Sequence, residues 1–382
     1  MKSHFLLRPD ITFLNFGSFG ATPLPIFEHY QQLQRDLEAE PVRFITARGP
    51  ELLRQSRVAL GNFVGAHEDD LIFVPNPTYA INLIALSLEL QPGDEILSTD
   101  LEYGAMDRTW DFYCRKQKAR YIRQRISLPL VSKEQFIAEF WKGYTHKTKA
   151  IFISQITSST ALIFPVEEIC AEARKRGLII IVDGAHVPGH IPLNIAELEV
   201  DYYTGACHKW MMTPKGSSFL YVRRELQDKL DPLIVSWGYN AAFPSHSRFL
   251  DYHQFNGTRD FTAYLTVPVA IDYLQEYNTE SVKKQCRDLV KSNIPRFCEL
   301  LETNPLAPVS DEFFGQMASF KIEAENPAAL NLELYNDFNI EVPVMPHGNA
   351  TYIRYSVASF TTQEDLDALY DALKTLKHNG RF

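Results

Sequence analysis

Two hydrophobic rhythms alternate along the first two thirds of the chain. Leu71-Ile72-Phe73-Val74, Ala150-Ile151-Phe152-Ile153-Ser154 and Leu178-Ile179-Ile180-Ile181-Val182 are short, nearly continuous apolar runs. That is the pattern of strands buried on both faces. Between them lie helical patterns, from Tyr79 to about Leu88 and from about Val166 to Arg176. The second stops at Gly177, a residue type that accepts the left-handed cap conformation. Gln91-Pro92-Gly93-Asp94 marks a turn before the strand-like Glu95-Ile96-Leu97-Ser98, and Gly216 to Val222 reads as a further strand. This alternation predicts an α/β fold with a mostly parallel sheet and helices on both faces. Polar residues at strand ends, Asp183 among them, then fall where such sheets bind ligands.

After about Thr262 the texture changes to longer helical stretches, with Met317–Ile322 and Tyr352–Ser356 as strands. A last helix is expected from near Thr361, with Glu364 completing a capping box and Leu366, Leu369, Tyr370 and Leu373 on one face. We expect a large domain over residues 16–261 and a smaller α+β domain from residues 1–15 and 262–382.

Composition narrows the function. The chain has 382 residues, 45% hydrophobic and 22% charged, enough for two ordinary cores. A net charge of -9 disfavours nucleic acid or an anionic membrane as partner. No run approaches the length of a membrane span, and Met1 to Pro9 contains no signal-length apolar core. Five scattered cysteines without a C-x-x-C pair fit free thiols in a reducing compartment. A soluble, cytoplasmic protein is expected.

The chemistry concentrates in three places. Asp183-Gly184-Ala185-His186 closes the central strand, Thr204-Gly205-Ala206-Cys207-His208-Lys209-Trp210 follows, and Asn76-Pro77-Thr78-Tyr79 opens a helix. Together they suit an aromatic aldehyde that carries a phosphate. A lysine can link to the aldehyde, an aspartate can keep a pyridine nitrogen protonated, and a helix N-terminus can hold the phosphate. Taken singly, each has an ordinary explanation: a solvated lysine, a turn-capping aspartate, a plain helix start. His186 and His190 are spaced i, i+4, but Pro188 and Gly189 between them break any helix that would align them on a metal, and no metal is expected.

In this order the pieces resemble the class V aminotransferase family, pyridoxal 5'-phosphate (PLP) enzymes of fold type I, and within it the isopenicillin-N-epimerase-like branch. Further anchors are Leu14-Asn15-Phe16-Gly17-Ser18-Phe19-Gly20-Ala21, Glu40-Pro41-Val42-Arg43-Phe44, Gly257-Thr258-Arg259-Asp260 and the Arg354 segment before Thr361-Thr362. The resemblance implies that Lys209 carries PLP and moves the proton at Cα. It implies that Asp183 pairs with the pyridinium and that His186 and Ser158 lie near the phenolic oxygen. It further implies that Tyr103 stacks on the ring, at a position that is histidine in the related desulfurases. By the same resemblance Thr78, the Tyr79 amide and His208 would hold the phosphate, and Gly257-Thr258 would reach the phosphate of a dimer partner. Arg354 would bind the substrate carboxylate, a task suited to its bidentate fork, with Asn15 and Gly17 beside it.

Four reactions stay open on these residues: epimerisation or racemisation, C–S or other β-elimination, transamination, and a non-catalytic binding role. The resemblance puts the epimerase-like reading first, acting on an amino acid or a small molecule containing one. The desulfurases use a cysteine in their C-terminal third, whereas here the last is Cys298, and Val342 to Asn349 fills that region. Persulfide transfer is therefore not expected.

Overall fold

The computed structural model describes all 382 residues. Its strands are β1 (Thr12–Phe13), β2 (Leu71–Val74), β3 (Glu95–Thr99), β4 (Arg120–Gln124), β5 (Thr148–Ser154), β6 (Ile179–Asp183), β7 (Tyr202–Ala206), β8 (Ser218–Val222), β9 (Met317–Ile322), β10 (Ile340–Glu341), β11 (Val344–His347) and β12 (Ala350–Ser356). The main sheet has seven strands in the order β2-β8-β7-β6-β5-β3-β4. Neighbours pair in parallel except at β8, which runs antiparallel to both β7 and β2. The sheet is thus mixed but mostly parallel.

Alternation along each strand splits the core between the two faces. Leu71, Phe73, Ile151, Ile153, Ile180 and Val182 join a cluster of 80 buried residues. Ile72, Val74, Ala150, Phe152 and Ile181 join a second cluster of 22 on the other face. The larger cluster extends without a break into the C-terminal region through Phe320, Tyr355, Leu366 and Leu373. There β12 lies between β11 and β9 in an antiparallel sheet, with Arg354 opposite Ser319.

Helix ends follow local chemistry. The helix Val166–Lys175 closes at Gly177, which has φ of 68°. The last helix spans Gln363–His378 and is capped by Thr362 with Asp365, not by Glu364. The expected start near Thr361 placed the box one residue early. Thr361 Oγ1 instead accepts from the Ala358 N–H at 3.0 Å. No helix is long and apolar enough to cross a membrane.

Candidate active site

Five strands β2, β3, β5, β6 and β7 end on the same edge of the main sheet, and the residues just after them converge on one cavity of about 400 Å³. They supply Asn76, Pro77 and Thr78 after β2, Tyr103 after β3, Ser154 and Ser158 at and after β5, Asp183 and His186 at and after β6, and His208 and Lys209 after β7. Ser18 and Phe19 from the N-terminal segment complete the wall. The sequence pointed to Asp183, His186, Lys209, His208, Thr78, Tyr103 and Ser158. Ser18 and Phe19 fell within the Leu14–Ala21 anchor without a role assigned to them, and no motif marked Ser154 or Met106.

Lys209 Nζ lies 3.2 Å from His186 Nε2 and has no carboxylate within ion-pair distance. Burial, then the nearby Arg354 cation, lower its pKa to about 8, with Asp183 pulling the other way. A free amine is therefore accessible near neutral pH, as a nucleophile must be. Burial and the same cations hold His186 well below the usual histidine range, so its ring is neutral. Its Nδ1 is buried without a partner. Asp183 Oδ1 accepts from the Ala185 N–H at 2.8 Å. Burial raises the Asp183 pKa to about 6, and that N–H and Lys209 restrain the rise.

The start of the helix Pro77–Ser87 offers fewer donors than its position suggests. Pro77 has no N–H, and the Tyr79 N–H is taken by the Asn76 side chain at 2.9 Å. Of the two phosphate contacts expected there, Thr78 lines the cavity and Tyr79 does not. His208 donates from Nδ1 to the Ser217 carbonyl at 2.9 Å, which leaves Nε2 as the second ring nitrogen. Burial lowers its pKa to about 4, and a neighbouring dianion would raise it again.

Arg354 stands fully buried behind this wall. It donates from Nη1 to the Ser158 carbonyl at 2.5 Å and from Nη2 to Ser18 Oγ at 3.1 Å, while Nε has no partner. Asn15 and Gly17 do not line the cavity. Asn15 Oδ1 accepts from Ser18 Oγ, and the Gly17 N–H donates to Ser356 Oγ at 3.1 Å, so both brace the Arg354 region from outside. Gly20 presses the same segment against the lysine: with φ of 63°, a Cβ there would stand 2.4 Å from the His208 carbonyl oxygen. Gly257 and Thr258 are exposed and lie outside this cavity. Tyr239 packs on Tyr252 and His246 bonds to Asp69, so neither reaches it.

All five cysteines are buried and unpaired. Burial pushes the Cys207 thiol, two residues from Lys209, up to about 12.

The donor set fits PLP on the structure's own terms: a suppressed lysine amine, an acceptor carboxylate with a spare oxygen, and a partnerless imidazole nitrogen share one cavity. A model of the class-V aminotransferases matches residues 20–369. Two isopenicillin N epimerases, from Amycolatopsis lactamdurans and Streptomyces clavuligerus, are 33% and 32% identical, covering 97% and 98% of this chain and 96% and 97% of theirs. A putative L-cysteine desulfhydrase 1 from Oryza sativa subsp. japonica is 26% identical over 96% of this chain and 83% of its own. A solved cystine C–S lyase in complex with cysteine persulfide shares the fold at a TM-score of 0.83 and 21% identity, over 96% of this chain and 98% of that one. A lysine variant of that lyase, at a TM-score of 0.84, 21% identity and coverage of 98% and 99%, holds glycine covalently linked to its PLP cofactor.

The chain belongs to the class-V aminotransferase family. It is a PLP-dependent enzyme of fold type I.

Proposed function

We propose that this enzyme inverts the configuration at Cα of an amino acid, or of a small molecule containing one, as an isopenicillin-N-epimerase-like isomerase. The observation that carries the reading is the full-length similarity to two isopenicillin N epimerases, at 33% and 32% identity. Bound PLP supplies an electron-accepting ring that stabilises negative charge at Cα. Lys209 then takes the Cα proton on one face, burial beside His186 having lowered its pKa to about 8 so that a fraction of the amine is uncharged near neutral pH. Asp183 keeps the ring nitrogen protonated. Thr78 and His208 orient the phosphate, and Arg354 is the cation that meets the substrate carboxylate, at the place where Ser158 and Ser18 hold its Nη1 and Nη2. Inversion also needs a proton donor on the opposite face. We assign it to Tyr103, a half-exposed phenol that lines the same cavity and has no hydrogen-bond partner within the chain.

The active unit in this reading is a homodimer in the cytoplasm. Exposed apolar side chains at Val42, Trp237 and Phe243, with Gly257-Thr258 free at the surface, support a partner copy, and five unpaired cysteines support a reducing compartment.

Panels of L- and D-amino acids in D2O test the reaction, with Cα exchange, chirality, pyruvate and sulfide followed together. Exchange with inversion is expected, and Tyr103→Phe should keep exchange while losing inversion. Pyruvate or sulfide without inversion would establish β-elimination instead, the reading favoured by the desulfhydrase relative.

A further inference from the structure

His190 follows His186 by four residues in the turn-rich segment after β6, and it is not part of the cavity wall. It is fully buried, and both ring nitrogens bond to backbone. The Gln316 N–H donates to Nε2 at 2.6 Å. Nε2 must therefore carry a lone pair, so the proton sits on Nδ1 and is donated to the His186 carbonyl at 2.9 Å. One neutral tautomer satisfies both bonds. An imidazolium would turn a second N–H against that of Gln316, and burial with Lys283 and Arg287 nearby opposes the charge further, lowering the pKa to about 3.

The ring also stacks on Trp210, the residue after Lys209, with centroids 4.1 Å apart and planes 23° from parallel. Gly315 makes the space, because a Cβ there would lie 2.4 Å from His190 Nε2. On the far side, the Gln316 side chain donates to the Val357 carbonyl at 2.9 Å, and the Val357 N–H donates back to the Gln316 carbonyl at 2.8 Å. Val357 directly follows β12, the strand of Arg354.

We propose that His190 is a positioning residue that sets the distance between the two halves of the active site, His186 and Lys209 on one side and Arg354 on the other. It works through the His186 carbonyl, the Trp210 face and the Gln316 amide, and touches neither cofactor nor substrate. The assignment rests on PLP chemistry at Lys209 and holds whichever bond at Cα is broken.

Two substitutions separate the two arms. In His190→Asn the amide replaces Nδ1, keeping the His186 bond and losing Gln316. In His190→Gln the side-chain oxygen replaces Nε2, keeping Gln316 and losing His186. His190→Asn should raise KM about tenfold, the scale of one backbone hydrogen bond, with kcat nearly unchanged. It should also speed hydrogen exchange at the Gln316 amide in the apoprotein. His190→Gln should leave KM and that amide near wild type, lower kcat, and move the pH midpoint of the bound cofactor's absorption band. Parallel losses of kcat, KM and melting temperature in both variants, or no change in either, would overturn the proposal. Should the variants fail to fold, 15N NMR of selectively labelled histidine in the unsubstituted protein decides. A fixed Nδ1–H tautomer from pH 5 to 9 supports the assignment, and a His190 that titrates or carries its proton on Nε2 overturns it.

Discussion

Two cavities of nearly equal size make an instructive pair. One, of about 430 Å³, lies between the segment Gln155–Glu168 and residues 280–312, lined by Lys133, Glu168, Glu280, Arg287, Asp311 and Glu312. The other, of about 400 Å³, holds Asp183, His186 and Lys209. The first is the more densely charged, yet both its cations are already matched: Lys133 pairs with Glu168 and Glu312, and Arg287 pairs with Glu280. In the second, Lys209 lacks a counter-ion and His186 Nδ1 lacks any partner. A buried lysine amine of lowered pKa beside a partnerless imidazole nitrogen, rather than size or charge density, marks the working cavity.

The comparison can be broken at several points. Lys209→Ala should cut turnover by about 10⁴-fold, the upper range for a lost general base, while Lys133→Ala leaves kcat unchanged. Steady-state kinetics of both variants would refute the contrast if they fell together. Arg354→Ala should weaken substrate binding by roughly 3 kcal/mol, read as KM, because one partner of a buried charge pair is removed. A KM equal to wild type would take Arg354 out of the substrate site.

A third test is the pH dependence of cofactor capture by the apoprotein. The free amine is the nucleophile and burial holds the Lys209 pKa at about 8, so the rate should climb with pH to about that value and then level off. Removing the Arg354 cation should move the midpoint upward, since that cation disfavours protonation of Lys209. A midpoint near the value of a solvated lysine would contradict the suppressed amine. The smallest effect belongs to the paired cavity. Arg287→Ala should cost at most about 1 kcal/mol in denaturant melts, because its partner Glu280 is largely exposed, and should leave turnover unaltered.

The strand-end chemistry was legible because it is local. Asp183 closes an all-apolar run and Lys209 follows the next strand, so a one-dimensional pattern places both on one sheet edge. The reversal of β8 was not legible, since strand direction depends on connections that the apolar run Ser218–Val222 does not encode. The brace on Arg354 was equally hidden: Ser18 and Ser158 meet it through folding of distant segments. Proximity along the chain misled in a different way at Tyr79, whose amide is spent on the Asn76 cap. His190 was considered only as half of a metal pair. The break at Pro188-Gly189 argued against that role, and the bond from His190 to Gln316 spans 126 residues and leaves no trace in sequence.

The bond between Ser18 and Arg354 joins residues 336 positions apart. In a chain made from its N-terminus at about 5–20 residues per second, Lys209 is complete roughly 7 to 30 seconds before Arg354 exists. For that interval the growing polypeptide carries its reactive amine without the clamp for a substrate carboxylate. Synthesis order therefore places the lysine on the chain before its clamp, while the core they share closes only once β12 and the last helix have been made.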